Sequence, residues 1–472
     1  APAAPSAKSG GTTAVASEKE APRLSICVLP FSNMSGDSEQ EYFSDGITED
    51  ITTDLSKVSA LAVTSSNTAF RYKGQHVEIA KVARELKVTH VLEGSVRKAG
   101  GRIRINAQLI DGTSDNHVWA ERYDRDASDI FAIQDEISKA IVKALRLRLL
   151  PEEKKAIERR GTENAEAHNL YLMARQAYIT GQEADVRSAE AIVRLCARAT
   201  ELDPNYAQAW ALMAVGYYKL CEAKGGHSDD EMATAERALA LDPKLAEAHA
   251  IKAQILLQHG EADKAAEEVA IALELDPESY EVNRSAATLN YQFRRFEDAI
   301  RYFEKALQLM DADVNSAHVM MSCYTALGDS AGLRRAAELS LKRSDVLLAH
   351  DPNNSNVMAY SVYALAALGE GERAKARMER TLLIDPRNFN MRYNFACALS
   401  VHLKDKQGAL DILDSLFATI SGGFLAYAKA DPDLDLVRDD PRYKAMVAAA
   451  EARLTAAKDS APPAGESMGS GG

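Results

Sequence analysis

The chain has 472 residues, of which 46% are hydrophobic and 26% are charged. This length exceeds what one hydrophobic core supports and predicts roughly two or three domains. The chain has 56 basic and 69 acidic residues, a net charge of −13. Because such a chain repels nucleic acid unless basic residues are segregated into a patch, and no such patch is visible, nucleic-acid binding is excluded. No apolar run is long enough to predict a membrane span.

Both ends of the chain have low complexity. Residues 1–23 are rich in Ala, Pro, Gly and Ser and predict a disordered linker, and residues 456–472 predict a disordered tail. The chain begins without Met and without a signal peptide, which we interpret as a cleaved product or a fragment.

The cysteines predict neither a metal site nor a disulfide framework. None belongs to a CxxC pair, and no histidine cluster lies beside them. We therefore expect buried thiols, with no metal and no cofactor. The five residues are Cys27, Cys196, Cys221, Cys323 and Cys397.

Residues 24–150 alternate between strand and helix patterns. "LSICVLPF" is a continuous apolar run that predicts a buried strand. Ser38 and Glu41 have the spacing of a capping box, which predicts a helix from Glu39. "ALAVTS" predicts a second strand, "VEIAKVAREL" an amphipathic helix, and "DIFAIQDEISKAIVKALRLRL" a long closing helix. Three strands precede the closing helix, so the predicted order is β-α-β-α-β-β-β-α, a small mixed-sheet α/β domain.

The three consecutive strands are separated by two turns. Gly100 and Gly101 lie in the first turn, and Gly112 begins the second. In the middle strand, Ile103 and Ile105 alternate with polar residues. One sheet face is therefore expected to pack on helices and the other to be polar.

The densest acidic stretch is "EYFSDGITEDITTDLS", residues 41–56. Its apolar stripe predicts Asp45 and Glu49 on the solvent side of a helix, Asp50 at the edge of the stripe and Asp54 within it. A carboxylate near the core needs a partner, so pairing within the chain is one interpretation. A ligand-binding site at Gly46, Asp50 and Asp54 is another, and metal catalysis is a third.

Two absences weigh against catalysis at this stretch. No histidine is nearby in sequence, and no Gly-rich phosphate loop precedes the helix. We therefore predict no catalytic residue and no metal ligand. The mid-helix Gly46 is expected to allow close packing of the helix on a strand, or else the approach of a ligand.

From residue 163 to residue 455 the strand pattern is replaced by a helical repeat. Asp-Pro dipeptides recur before helical segments, and two successive pairs of prolines, at 243 and 277 and at 352 and 386, are 34 residues apart. This is the period of tetratricopeptide repeats, of which we expect about six between residues 165 and 420. Each proline is predicted to lie in the first turn of a new helix.

The predicted fold class is thus α/β plus all-α, an α/β domain followed by a tetratricopeptide α-solenoid. The first helix of each repeat lines the concave groove of such a solenoid, where aromatic, amide and arginine side chains suit peptide recognition. A solvated groove that binds nothing is the alternative. No cluster of Lys and Arg is present to clamp a terminal carboxylate. The candidate groove residues are Gln208, Tyr218, Gln254, Arg284, Tyr291, His318, Asn356, Tyr363, Asn390 and Tyr393.

The chain resembles a type of proteobacterial protein. "VLPFSNMSGDSEQEYFSDGITEDITTDLS", "TSSNTAFRYKG" and "RELKVTHVLEGSVRKAGGRIRINAQLIDGTSDNHVWAERYDR", together with the repeats, are similar to proteins that join a TolB N-terminal-like domain to tetratricopeptide repeats. Such modules often follow a membrane helix in class III adenylate or guanylate cyclases, and others follow a winged-helix regulator domain. The cyclase domain with its two metal-binding aspartates is absent from these residues.

The resemblance implies a regulatory or scaffolding module. We expect a non-enzymatic protein-interaction role with a protein or peptide partner in the groove, serving a membrane-bound nucleotide cyclase through an upstream anchor. The expected location is the periplasmic side of the inner membrane, with the cytoplasm as the alternative. A small-molecule sensor or enzyme site in the α/β domain is a second hypothesis, and a self-assembling homo-oligomer is a third.

Overall fold

The computed structural model describes residues 24–37, 40–75, 77–158, 161–181, 186–224, 229–310 and 313–459. The predicted linker, the Ser38 cap and residues 460–472 of the predicted tail lie outside these ranges. Within them, no helix is long and apolar enough to cross a membrane.

The N-terminal domain is built on a mixed sheet, as predicted. Its strands lie in the order β3-β1-β4-β5-β6, and β2 pairs with β4. β1 runs parallel to β3 and β4, whereas β4, β5 and β6 are antiparallel. The strands are β1 (Ser25–Val28), β2 (Ser32–Asn33), β3 (Ala62–Val63), β4 (His90–Ala99), β5 (Arg102–Asp111) and β6 (His117–Asp126).

The two predicted features of the hairpin region are present. Gly100 and Gly101 connect β4 to β5 with φ of 58° and 79°, values that favour glycine. Along β5, Ile103 and Ile105 are fully buried, whereas the neighbouring Arg104 is exposed. The sheet therefore has one apolar and one polar face at this strand.

Helices cover both faces of the sheet near β1. Ile47 and Ile51 of α1 and Ile137 of α4 form one core with β5, while Val82 of α3 packs against β1 and β4 on the other face. Helix α1 begins at Glu41, two residues later than predicted, and α2 was not predicted. The helices are α1 (Glu41–Ser56), α2 (Ser66–Phe70), α3 (Ile79–Leu86) and α4 (Ile130–Ala144).

A solenoid of paired helices follows α5, which is anchored to the α/β domain by a hydrogen bond from Ser59 Oγ to Glu153 (2.6 Å). Among the described residues there are seven helix pairs, from α6/α7 to α18/α19, one more than expected. Their bounds are α5 (Pro151–Glu158), α6 (Ala165–Thr180), α7 (Val186–Leu202), α8 (Ala207–Lys224), α9 (Asp229–Leu241), α10 (Ala246–Gln258), α11 (Ala262–Leu275), α12 (Tyr280–Gln292), α13 (Phe296–Leu309), α14 (Asn315–Leu327), α15 (Ser330–His350), α16 (Ser355–Ala367), α17 (Gly371–Ile384), α18 (Phe389–Val401) and α19 (Lys406–Phe417).

The repeated Asp-Pro dipeptides lie in the turns between pairs, so the prediction of prolines inside the helices was wrong. Pro204 precedes α8 by three residues, and Pro243 precedes α10 in the same way. The preceding aspartate explains the turn. Asp203 Oδ1 accepts the backbone N–H of Asn205 (3.0 Å), and Asp242 Oδ1 accepts that of Lys244 (3.1 Å). These are Asx turns, which compete with helix and stop it at the same point in successive repeats.

The C-terminal segment folds back into the concave side of the solenoid. α20 (Gly422–Ala430) contacts α10 and α12 and is followed by a 3₁₀ turn at Pro432–Leu434 that contacts α14 and α18. The segment continues as α21 (Asp435–Arg438) and α22 (Pro441–Asp459). Residues 456–459 are therefore helical, in contrast to the predicted start of the tail.

Gly423 is where this segment closes on the solenoid, and its substitution is the first prediction. A Cβ at position 423 would lie 2.2 Å from the backbone oxygen of Gln258, whereas a Cβ at the adjacent Gly422 would meet nothing within 4 Å. The backbone of Gln258 cannot rotate away from the new methyl group as a side chain could. We therefore expect Gly423→Ala to lower the free energy of unfolding in urea by about 1–3 kcal/mol. Gly422→Ala is the matched control and should be neutral or raise it by up to about 1 kcal/mol. Equal losses in the two variants would contradict the close contact.

Candidate functional site

The acids on the outer side of α1 are not solvated, so that prediction was wrong. Asp45 is only 8% exposed, because Lys73 in the turn after α2 lies over it with Nζ 2.6 Å from the carboxylate. Glu49 is covered by α6, whose Arg175 Nε lies 2.7 Å from Glu49 Oε2. Burial raises the pKa of Asp45 to about 6 against the opposing effect of Lys73. The polar side of α1 is therefore an interface.

The other two acids of α1 also meet partners from the chain. Asp50 Oδ2 accepts a hydrogen bond from Gln134 Nε2 (2.7 Å) and lies 3.1 Å from His168 Nε2. Asp54 Oδ1 lies 2.9 Å from Lys57 Nζ. Burial raises the pKa of Asp54 to about 6. The structure thus supplies the partners that the pairing interpretation required; a ligand at these carboxylates stays a prediction.

Gly46 allows a close contact between two helices, and the expected contact with a strand was wrong. A Cβ at position 46 would lie 2.5 Å from Leu172 Cδ1 of α6, and Leu172 is itself buried in the α/β core. Nearby, Tyr42 donates to Asn169 of α6 (3.0 Å). Gly46 therefore lets the first solenoid helix pack against α1, and Leu172 fills the space that a ligand would need.

The concave side of the solenoid contains two adjoining cavities. One, of about 60 Å³, is lined by residues of α6, α8, α10 and α12. The other, of about 370 Å³, extends from α8 to α18 and is bounded by α20. The two share Tyr218, Glu222, Gln254 and Arg284. The first helices of the pairs line both cavities, in agreement with the repeat phase read from the sequence.

The structure places most of the predicted groove residues on these walls. Gln208 lines the smaller cavity, and Tyr291, His318, Asn390 and Tyr393 line the larger one. The shared residues Tyr218, Gln254 and Arg284 complete the set. Whether any of them binds a partner stays a prediction.

Asn356 and Tyr363 do not line either cavity. Both are buried, and Tyr363 is fully inaccessible to solvent. His318 is also buried, with its ring packed edge-on against Tyr363 at a centroid distance of 4.7 Å. Burial lowers the pKa of His318 to about 4, so it is neutral at physiological pH. These three side chains are structural in this conformation.

Three of the predicted groove tyrosines hold the chain's own C-terminal segment. Tyr291 donates to Asp431 Oδ1 (2.9 Å) and Tyr393 to Asp431 Oδ2 (2.7 Å). Tyr363 donates to Asp433 Oδ2 (2.6 Å). Because these tyrosines come from α12, α18 and α16, the two aspartates join three helix pairs. We call residues 431–433 the acidic turn.

The sequence did not reveal the acidic turn as a site. "ADPDLD" repeats the Asp-Pro pattern of the solenoid turns, which is the only local signal, and it resembles an exposed turn. Yet Asp431 and Asp433 are 2% and 1% exposed. The phenolic groups that bury them come from residues between 38 and 140 positions away in sequence. No pattern in the sequence pairs groups at such separations.

The acidic turn also has the side chains of a metal site. Ligand atoms of Cys397, Asp431 and Asp433 lie within 4.8 Å of one another. Among the described residues, these three form the group of potential metal ligands with that spacing. Tyrosine and serine hydroxyls already donate to three of the four carboxylate oxygens, and Asp433 Oδ1 lacks a hydrogen-bond partner. Burial, together with the charge of Asp431, raises the pKa of Asp433 to about 8. A proton on Asp433 therefore suffices to relieve the repulsion between the carboxylates.

Comparison with known proteins finds matches to parts of the chain. Residues 22–140 match the model of the second domain of HilA/YgeH-like transcriptional regulators. Over 191 residues, the chain is 53% identical to "Putative adenylate cyclase 3" of Rhizobium meliloti strain 1021. That alignment covers 40% of this chain and 32% of the relative, so the chain spans about a third of the relative's length.

Solved structures resemble this chain at low identity. PilF of Pseudomonas aeruginosa is 20% identical with a TM-score of 0.32, covering 47% of this chain and 95% of PilF. Human IFIT1 is 16% identical with a TM-score of 0.40, covering 70% of this chain and 76% of IFIT1. TolB of Acinetobacter baumannii is 20% identical with a TM-score of 0.20, covering 26% of this chain and 28% of TolB. The TolB-like part of the resemblance is thus matched only weakly.

The ion pair between Glu49 and Arg175 gives the second prediction. Glu49→Gln leaves the half-buried guanidinium of Arg175 without its charged partner, so we expect the free energy of unfolding in urea to fall by about 1–3 kcal/mol. Glu166→Gln removes an exposed carboxylate from the same helix that carries Arg175 and should change it by less than about 0.5 kcal/mol. A loss no larger than that of the control would show that the pair does not hold the domains together.

The acidic turn gives the third prediction, which concerns pH. In the folded state Asp433 keeps its proton up to about pH 8, whereas the ordinary pKa of an aspartate is 3.8. The stability that this protonated group contributes is therefore fully present below pH 3.8 and is lost as the pH rises through 8. Asparagine imitates the protonated carboxyl group. Asp433→Asn should therefore match the wild type within about 1 kcal/mol at pH 5 and exceed it at pH 9.

Asp431→Asn is the matched control for that experiment. Its oxygens accept hydrogen bonds from Tyr291, Tyr393 and the backbone N–H of Asp433, so an amide N–H₂ would face donors. We expect a loss of about 1–3 kcal/mol at both pH values. Urea unfolding at pH 5 and pH 9 checks both variants. An Asp433→Asn variant that loses stability with pH in parallel with the wild type would refute the assignment.

Proposed function

We propose that this chain is a non-enzymatic protein-interaction and regulatory module, and that it serves a nucleotide cyclase within a longer protein. The observation that carries the proposal is the concave wall formed by α6, α8, α10 and α12. A partner segment would lie along this wall, next to the docked α/β domain.

The chemistry of this wall suits a polar peptide segment. Tyr171, Tyr178 and Tyr218 offer planar contact area, and Gln208 and Gln254 offer amide groups that pair with an extended backbone. Charges of both signs lie among them, including Glu222, Glu247, Lys219 and Arg284. Burial raises the pKa of Glu247 to about 7, so this wall carries less negative charge than its glutamates imply.

The segment is proposed for the N-terminal half of the solenoid because the other half is covered. α20 lies across the concave side from α10 to α18, with the ring of Tyr427 stacked on Tyr291 and the ring of Phe424 packed against Tyr393. An extended chain cannot pass through that half without displacing α20. The smaller cavity adjoins this covered region, and residues of α6 line the smaller cavity but not the larger one.

The relation to a cyclase rests on the relative that shares 53% identity over part of its length. A module of this size joined to a catalytic domain would act by binding and positioning. The proposed periplasmic placement and upstream membrane anchor are supported by the sequence resemblance alone.

The two alternative functions have less support. Asp50 and Asp54 meet Gln134, His168 and Lys57, and Leu172 fills the space at Gly46, so a sensor site there would have to displace groups of the chain itself. For self-assembly through the sheet, β6 is one edge strand and β3 is the other, and most side chains of β6 are exposed and charged or polar. Such charges disfavour edge-to-edge pairing.

A pull-down with matched variants tests the proposal and is the fourth prediction. Gln208→Ala, Gln254→Ala and Arg284→Ala combined change the wall of the groove, while Glu372→Ala changes a side chain that is 96% exposed on the other helix layer. The full chain should enrich a protein from a lysate, and the Glu372→Ala control should enrich the same protein equally. The groove variant should reduce that enrichment roughly tenfold or more. Tyr291 and Tyr363 are left unchanged because they hold the acidic turn. Equal enrichment by the groove variant would refute the proposed surface.

A further inference from the structure

The larger cavity differs from the groove proposed for a protein partner, because α20 of the chain itself covers one side of it. Gly423 at the start of α20 packs on the backbone of Gln258, which belongs to α10. On the opposite side, Phe424 packs edge-on against Phe389 and Tyr393 of α18, each with ring centroids 4.9 Å apart. α20 thus bridges helix pairs that are far apart in sequence and covers one side of the larger cavity.

The volume of this compartment suits a small molecule. It measures about 370 Å³, and pockets for small organic ligands and cofactors span about 300–1,000 Å³. An extended peptide would need an opening at both ends, whereas α20 occupies one side of the cavity. The space therefore fits one compact ligand or none.

The wall is rich in aromatic and amide groups. Aromatic rings bind planar ligand groups by stacking, and side-chain amides supply paired donors and acceptors for the edge of such a group. Gln258 Oε1 is buried without a hydrogen-bond partner among the described residues, so the wall has unused hydrogen-bonding capacity. The aromatic side chains are Tyr218, Tyr291, Tyr360, Phe389, Tyr393, Phe424 and Tyr427, and the amides are Gln254, Gln258, Gln292, Asn315, Asn390 and Asn394.

The charges of the wall favour an anion. Arg284 and Arg387 contribute positive charge, while Glu222 is the carboxylate of the wall and accepts a hydrogen bond from Tyr218 (3.0 Å). His318 is neutral because burial lowers its pKa to about 4. A net positive wall is notable in a chain of charge −13. Arginine binds carboxylate and phosphate groups through paired N–H donors.

We propose that this cavity is a binding site for a small planar organic anion of nucleoside-monophosphate size. Its ring would stack among the aromatic side chains, and its anionic group would face Arg387 at the exposed rim. This goes beyond the proposed protein-binding role, since it requires no partner protein and places the anionic group at Arg387, which does not line the smaller cavity. No chemical step is involved; the site binds and releases the ligand.

AMP is the probe for this proposal, which is the fifth prediction. Isothermal titration of the full chain with AMP should give saturable binding. Adenosine, which lacks the anion, and ribose 5-phosphate, which lacks the ring, should each bind at least roughly tenfold more weakly. No binding of AMP at millimolar concentration would overturn the proposal. Equal affinity for ribose 5-phosphate would overturn the role of the ring, and equal affinity for adenosine would overturn the role of the anion.

Three variants test whether AMP binds in this cavity. Arg387 is exposed, so Arg387→Ala should leave the fold intact. It should weaken the affinity for AMP by roughly tenfold and leave the affinity for adenosine unchanged. Arg380→Ala removes an exposed arginine of α17 and is the matched control, with no expected effect. Gly423→Ala, which pushes α20 away from α10, should weaken the affinity for both AMP and adenosine. AMP binding that is unaffected by both Arg387→Ala and Gly423→Ala would overturn this location.

Discussion

The C-terminal half of the solenoid depends on the burial of two neighbouring carboxylates. Asp431 and Asp433 lie almost fully inside the protein and accept hydrogen bonds from tyrosines of three different helix pairs. Burying a carboxylate is costly unless donors surround it, and here the donors are phenols that would otherwise be unsatisfied themselves. Each group thus requires the other, and the α20 that covers the larger cavity ends next to this turn.

A second junction joins the α/β domain to the solenoid, and it has the same character. Glu49 meets Arg175, Asp50 meets His168, and Gly46 admits Leu172. A helix wheel identifies which side of α1 faces the sheet, and that side was predicted correctly because the apolar stripe carries the information. The wheel cannot show that Lys73, in a turn, and helix α6 cover the polar side from elsewhere in the chain. For that reason Asp45 and Glu49 were assigned to solvent.

Features set by neighbouring residues could be predicted, and features set by distant ones could not. The alternation of β5, the glycine turn before it and the helical repeat all follow from local geometry, and the first helices of the pairs do line the concave side. The sequence also indicated where one helix pair ends, although Asp203 and its equivalents stop the helix four residues before the next one starts. By contrast, Tyr291 and Tyr363 were read as free groove residues because their partners lie 140 and 70 positions further along the chain.

The two junctions meet in the concave surface. Arg175 pairs with Glu49 of the α/β domain and at the same time lines the smaller cavity, which shares Arg284 and Tyr218 with the larger one. An anionic group placed in the smaller cavity would compete with Glu49 for the same guanidinium. A half-buried charge that loses its partner costs stability. A group that displaced Glu49 from Arg175 would therefore weaken the contact between α6 and α1. Arg175 is thus a side chain that the concave surface and the α/β domain share.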